Sequence, residues 1–184
     1  MKRLFLLLAF CFFTFAFVNA QEQTKLKIVY SENIQDTFFD VKFGASEKEI
    51  VKAFKKQGLY LSKKYSTNEL LSFYPSEDEV SFLEIKWKNL KASLSNGKFC
   101  SLGFNNTYTN EQTALKDFET VFSSLSSTYE MNELPIEEEN TLKTYLAFSS
   151  KGNAVMISLE KNKGREGEIH YYINLEYADS TLNR

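Results

Sequence analysis

Proline, glycine, histidine and cysteine are all scarce in this chain of 184 residues: two Pro, seven Gly, one His and two Cys. So little Pro and Gly excludes collagen-like, Pro-rich and low-complexity classes. One histidine leaves little material for a His-based metal centre or a conventional nucleophile–base pair. There is no excess of basic charge, since 22 Lys and Arg face 24 Asp and Glu for a formal charge of −2. A strongly basic nucleic-acid binder is therefore excluded as the default. What the chain has in quantity is aromatic residues, 17 Phe, 10 Tyr and one Trp. Together with a length suited to one domain, that argues for a folded core and against disorder.

The one long apolar run begins after Met1-Lys2-Arg3 and extends from Leu4 to Val18, interrupted only by Thr14. At 1.5 Å per residue it falls short of a roughly 30 Å hydrocarbon core. The charged start, apolar middle and Val18-Asn19-Ala20 predict a secretory signal peptide over residues 1–20, cut between Ala20 and Gln21. Cys11 reads poorly as a lipid-anchor cysteine because bulky Phe10 precedes it. With residues 1–20 removed, 20 basic side chains face 24 acidic ones and Cys100 is the one cysteine left. No intramolecular disulfide is then possible, which favours a bacterial periplasmic or surface location over a eukaryotic extracellular one. No other stretch approaches membrane length, so no transmembrane segment is expected after export.

Periodicity organises the remainder. Residues 21–36 read as a linker with a possible first strand at Lys25–Tyr30, residues 37–178 as one α+β domain, and residues 179–184 as a polar tail. Ser46 and Glu49 form a capping box ahead of the apolar face Ile50, Val51, Ala53 and Phe54, and Gly58 supplies the left-handed stop. A helix is predicted from about Ser46 to Gln57. Residues 59–105 follow period two: Leu70–Tyr74, then an alternating run through Phe82–Trp87, then Lys98–Phe104 after the hairpin signal Asn96-Gly97. Thr109 with Gln112 reads as a second capping box. The stripe Leu115, Phe118, Val121, Phe122, Leu125 and Tyr129 predicts a second helix from about Asn110 to Thr128. Strands are predicted at Leu142–Ser149, Ala154–Lys161 and Glu168–Tyr177. The fold class this implies is α+β: one antiparallel sheet built from two successive helix-then-β-meander units, with both helices on one face. Alternation puts Cys100 on the same face as Leu102 and Phe104, under the second helix.

The segment Phe43-Gly44-Ala45-Ser46-Glu47-Lys48-Glu49-Ile50 closing at Gly58, the turn Asn96-Gly97-Lys98-Phe99, and the ending Leu175-Glu176-Tyr177-Ala178-Asp179 together resemble small exported proteins of Bacteroidetes. More distantly they resemble the helix-plus-meander repeats of β-lactamase inhibitor proteins and of small outer-membrane assembly lipoproteins. The resemblance implies a fold and a compartment; it implies no function.

Residues that carry chemistry are sparse. In Glu168–Glu176, Ile169, Tyr171, Ile173 and Leu175 take the core side, which leaves His170, Tyr172 and Asn174 on the opposite face. That trio is the candidate partner-binding face. His170 with Glu168 would be the place for a general base, but polar-out alternation predicts the same residues with no site. Acidic runs at 77–79 and 137–139 lack the ligand spacing of a calcium loop. Lys52, Lys55, Lys56, Lys63 and Lys64 form a basic cluster suited to anionic headgroups or acidic glycans, and equally to a solvated surface. Asn105-Asn106-Thr107 is an N-glycosylation sequon, and Asp179-Ser180-Thr181 places Ser180 in a three-residue O-glycosylation pattern of exported Bacteroidetes proteins. The functional expectation is a noncatalytic exported binding or scaffold domain without cofactor or metal, whose partner is a protein, a glycan or an envelope component. The alternatives are an inhibitor acting through the Asn162–Gly167 loop and a hydrolase built on a carboxylate or His170.

Overall fold

The computed structural model describes residues 28–76, 79–136, 138–164 and 166–182. The predicted signal peptide, its Ala20–Gln21 junction and Cys11 lie outside the described residues, as does most of the predicted Lys25–Tyr30 strand. Thirteen strands and two helices follow in order: β1 Tyr30–Ser31, β2 Thr37–Phe38, β3 Val41–Lys42, α1 Glu47–Lys56, β4 Leu59–Leu61, β5 Leu70–Pro75, β6 Val80–Phe82, β7 Ile85–Trp87, β8 Asn89–Ser95, β9 Lys98–Tyr108, α2 Glu111–Ser126, β10 Asn132–Glu133, β11 Thr141–Ser149, β12 Asn153–Lys163 and β13 Ile169–Asp179.

The α+β expectation of two helix-then-meander units in an antiparallel sheet is corrected by this architecture. Strand accounts for 48% of the described residues and helix for only 17%, so the fold is mostly β. The main sheet has nine strands in the order β1-β11-β12-β13-β9-β8-β5-β4, with β10 also paired to β11. It is mixed, because β1 runs parallel to β11. The parallel edge is held by polar groups that carry no strand signal. The Asn132 side chain accepts from Val29 N–H (3.1 Å) and donates to the carbonyls of Val29 and Leu146 (both 3.2 Å). Ser31 hydroxyl accepts from Glu130 N–H (2.9 Å). The predicted linker is thus partly fold, with Ile34 buried in the core.

Local signals set the helices. The Ser46–Glu49 capping box forms, with Ser46 N–H donating to Glu49 Oε2 at 2.8 Å. The Ser46 contacts hold the Glu49 carboxyl below its ordinary range. Gly58 (φ +74°) ends the turn after α1. For α2 the cap is Asn110, whose side chain accepts from Thr113 N–H at 2.9 Å, and not the predicted Thr109–Gln112 box one residue earlier. Asn ranks above Thr as an N-cap, so its side chain takes the first-turn N–H.

Two small hairpins lie off the main sheet. β2–β3 turns through Phe39 (φ +51°) and Asp40 (+65°), and β6–β7 turns through Leu83 (+49°) and Glu84 (+65°). Both central residues at positive φ is the geometry that normally selects Asn and Gly. Here the turns carry apolar residues because their tips are packed: Phe39 meets Phe54 edge-on at 5.1 Å, and Leu83 lies against the core. The predicted continuous run through Phe82–Trp87 is therefore a tight hairpin. Thr37-Phe38-Phe39-Asp40-Val41-Lys42-Phe43 and Ser81-Phe82-Leu83-Glu84-Ile85-Lys86-Trp87 match in chemical type at every position. Their roles match too: Lys42 pairs with Asp36 (3.1 Å) and Lys86 with Glu79 (3.3 Å), while Phe38 and Phe82 both contact Tyr177.

One core collects Ile50 and Phe54 of α1, Ala114, Phe118, Val121 and Leu125 of α2, hairpin residues Phe38, Ile85 and Trp87, and the sheet residues Phe73, Leu90, Phe104, Ile157, Ile173 and Leu175. A bulge in the β8–β9 pairing sets the phase of that face. Ser93 pairs with Ser101 but Leu94 with Phe99, so Cys100 is the extra residue. Phe99, Leu102 and Phe104 share the core, whereas Cys100 stands outside it and donates to the Ser93 carbonyl at 3.4 Å. The prediction that Cys100 shares a face with Leu102 and Phe104 under the second helix is corrected accordingly.

Phe118 is fully buried, while Phe122 is half-buried against Tyr145 at 4.2 Å. Phe118→Ala is expected to cost about 3–5 kcal/mol in urea unfolding, and Phe122→Ala distinctly less.

Candidate functional site

With helices and hairpins gathered on one side, the other face of the sheet has no helix or hairpin packed on it among the described residues, and the loop 62–67 covers Ser72 at its edge. Cross-strand register defines its rows. The middle rows read Leu146, Met156, Glu176, Gly103, Lys91, Ser72 and, beside it, Thr144, Ser158, Asn174, Asn105, Asn89. Tyr172 follows between Glu160 and Thr107, and His170 lies opposite Asn162. The sequence-predicted trio His170, Tyr172 and Asn174 thus shares this open face along one strand.

Asn174 is the hub of a hydrogen-bond network that crosses three strands. Asn105 Nδ2 donates to Asn174 Oδ1 (2.7 Å), and Asn174 Nδ2 donates to Glu160 Oε1 (2.9 Å). Ser158 hydroxyl donates to the same Glu160 oxygen (3.1 Å). Each amide in the row hands its proton onward, so the chain ends on a carboxylate. Asn105 Oδ1 is left buried without a protein partner, and so is His170 Nδ1. These two atoms are the buried side-chain polar atoms found unsatisfied among the described residues, and both belong to the open face. The sequon at Asn105 falls inside strand β9, with its amide nitrogen already engaged.

His170 meets Glu168, the partner its sequence neighbourhood offers, and that partner has another task. Glu168 Oε1 lies 3.2 Å from His170 Nε2, while Glu168 Oε2 accepts from Glu166 N–H at 3.0 Å. A Cβ at Gly164 would meet that carboxylate, so a side chain there would displace Glu168 from its present position. Backbone N–H groups and the His170 ring hold the Glu168 carboxyl below its usual range. Glu168 therefore braces the turn between β12 and β13, the loop proposed as an inhibitory projection; Arg165 in that loop lies outside the described residues.

Glu176 and Cys100 sit further along the face. Burial in the middle of the sheet raises the Glu176 carboxyl, opposed by a hydrogen bond from Ser101 and by the charge of Lys91. Gly103 stands between Lys91 and Glu176 in the row, and a Cβ there would make only ordinary contacts, so the fold leaves a notch it does not need. Burial, with Glu176 next, pushes the Cys100 thiol up to about 11, which makes it a poor nucleophile at neutral pH.

The remaining candidates disperse. Ser180 hydroxyl donates to the Gly152 carbonyl (2.8 Å), tying the predicted tail onto the turn before β12. The predicted basic cluster divides: Lys52, Lys55 and Lys56 belong to α1 on the helix side, whereas Lys63 and Lys64 follow β4. Glu77, Asp78 and Glu137 of the acidic runs lie outside the described residues, and among the described residues no group of three or more His, Cys, Asp or Glu could hold a metal ion. No described helix is long and apolar enough to cross a membrane. Comparisons with protein-family models, curated proteins and solved structures find no match to this chain.

The raised Glu176 carboxyl gives a signed pH dependence. A carboxyl whose folded pKa exceeds its unfolded value contributes stability that is full below the unfolded pKa and lost as pH rises through the folded one. Glu176→Gln is thus expected to raise the urea midpoint at pH 7 relative to the native chain, with the advantage shrinking toward pH 4. A variant less stable at pH 7 would contradict the assignment.

Proposed function

We propose that this chain is an exported, noncatalytic binding domain that engages a protein, glycan or other envelope component through its open sheet face. The observation that carries the reading is the polar row of that face, where Asn174 links Asn105 (2.7 Å) to Glu160 (2.9 Å) beside Tyr172 and His170, on a side where no described helix or hairpin packs. Tyr172 is half-buried, with its ring 6.4 Å from that of His170. An amphipathic ring beside hydrogen-bonding groups is the composition of recognition surfaces. Export is carried by the residue pattern at 1–20, and the likeness to exported Bacteroidetes proteins points to the same compartment.

A second reading has one observation in its favour. The β12–β13 turn is braced by Glu168, and a rigid projecting loop is what an inhibitor inserts into a partner. A photo-crosslinking residue at Tyr172, at Glu166 and at Lys116 on α2, tested in the producing cells, separates the two. Discrete adducts from Tyr172 alone support the open face, and adducts from Glu166 alone support the loop. Equal labelling from Lys116 overturns both.

A further inference from the structure

The open face carries a second feature, at the β4–β5 edge, that the binding role of His170, Tyr172 and Asn174 does not use. Tyr60 and Tyr74 are direct cross-strand partners, so their rings project side by side from this face. They are 55% and 39% exposed. Tyr65, in the loop between the two strands, places its ring 6.3 Å from that of Tyr74 and is 54% exposed. Three neighbouring rings in water form a patch that calls for an explanation, since nearly all the other aromatic side chains of the fold are wholly or partly buried.

The loop that presents Tyr65 is fastened. Ser72 hydroxyl donates to the Tyr65 carbonyl (2.9 Å), Ser66 hydroxyl donates to the Ser62 carbonyl (2.7 Å), and Ser72 N–H donates to Ser66 Oγ (3.0 Å). Ser62 N–H donates to the Ser72 carbonyl at 2.8 Å, and Thr67 Oγ1 accepts from the N–H groups of Glu69 and Leu70. These bonds bury serine hydroxyls and leave a tyrosine outside. A ring carried on a fastened backbone loses less freedom on binding than one on a loose loop, which is pre-organisation.

The chemistry around the rings selects the occupant. Lys64 Nζ lies 5.0 Å from the Tyr65 ring centroid, Lys63 is exposed beside it, and Lys91 is the cross-strand partner of Ser72 on the same face. None of the three has a described carboxylate within ion-pairing distance. Within the loop itself Lys63 and Lys64 outnumber Glu69, the one acid between Ser62 and Leu70. A protein anchor needs a desolvated apolar pocket. This patch is open and rimmed by hydroxyls and ammonium groups. Pyranose rings present an apolar C–H face to an aromatic ring and a hydroxyl rim to polar neighbours, and a uronic acid adds the carboxylate that the lysines would meet.

We infer that Tyr60, Tyr65 and Tyr74, with Lys64, form a platform for an acidic, uronate-containing polysaccharide. Affinity gel electrophoresis of the chain in alginate, polygalacturonate and neutral hydroxyethylcellulose tests it. Retardation by at least one polyuronate and not by the neutral glucan is expected. It should weaken at least tenfold in Tyr65→Ala and in the Tyr60→Ala, Tyr74→Ala pair, and remain unchanged in Lys116→Gln, which lies exposed on α2 on the helix side of the sheet. Lys64→Gln, which removes no ring, should bind more weakly with a shallower salt dependence, and it keeps the test decisive if a ring variant misfolds. The inference is overturned by an absence of polyuronate binding, by ring or Lys64 variants that bind as the native chain does, by equal retardation in the neutral glucan, or by preference for anionic vesicles or a single-stranded oligonucleotide.

Discussion

The constraint on which this fold depends is the width of the sheet against the shortness of its helices. A nine-strand sheet has an apolar face far broader than helices of ten and sixteen residues can cover. Ile50 and Phe54 seal one part and the Ala114–Leu125 stripe another. Between them the two off-sheet hairpins close the gap, and Phe82 stacks on Phe104 at 4.5 Å with planes 2° apart. Trp87 Nε1 donates to the Phe82 carbonyl at 2.9 Å, so the largest buried ring has its polar atom satisfied inside its own hairpin.

Seen this way, the positive-φ turns at Phe39-Asp40 and Leu83-Glu84 are a consequence of coverage. Non-glycine residues in that region store strain of about 1–3 kcal/mol each. Burial of an aromatic or leucine side chain contributes a similar amount. The turns can therefore hold apolar residues where Asn-Gly would relieve strain but leave the core uncovered. Gathering every covering element on one side leaves the other face to present its polar rows and exposed tyrosines, which links the packing of the core to both proposed binding functions.

How much was legible in the sequence follows from the range of each signal. Both helices could be read to within two residues at either end, because capping and apolar spacing act within a few positions of the chain. Asn96-Gly97 marked its hairpin, whereas Phe39-Asp40 and Leu83-Glu84 did not, since their turn geometry is stabilised by tertiary contacts and not by their own preferences. The bulge at Cys100 is a relation between two strands, so strict alternation cannot reveal it and puts Cys100 on the wrong face. The parallel edge depends on Asn132, a residue that locally reads as loop. Local periodicity misses the mostly β class because β1 to β4, β6, β7 and β10 are each too brief to show a period. Of the open face, His170, Tyr172 and Asn174 were readable from alternation along one strand. Their link to Asn105 and Glu160 spans 69 and 14 residues of sequence, and Tyr60, Tyr65 and Tyr74 carried only the ordinary signal of a strand-forming residue.

The central claim is that helices and hairpins seal one face of the sheet while, among the described residues, no helix or hairpin covers the other. Hydroxyl-radical footprinting of the folded chain, read residue by residue, tests it directly. The account predicts rapid oxidation at Tyr60, Tyr65 and Tyr74, with Trp87, Phe104 and Tyr177 protected until the chain is unfolded. Protection of the three exposed tyrosines, or oxidation of Trp87 and Tyr177 at comparable rates in the native state, would contradict it.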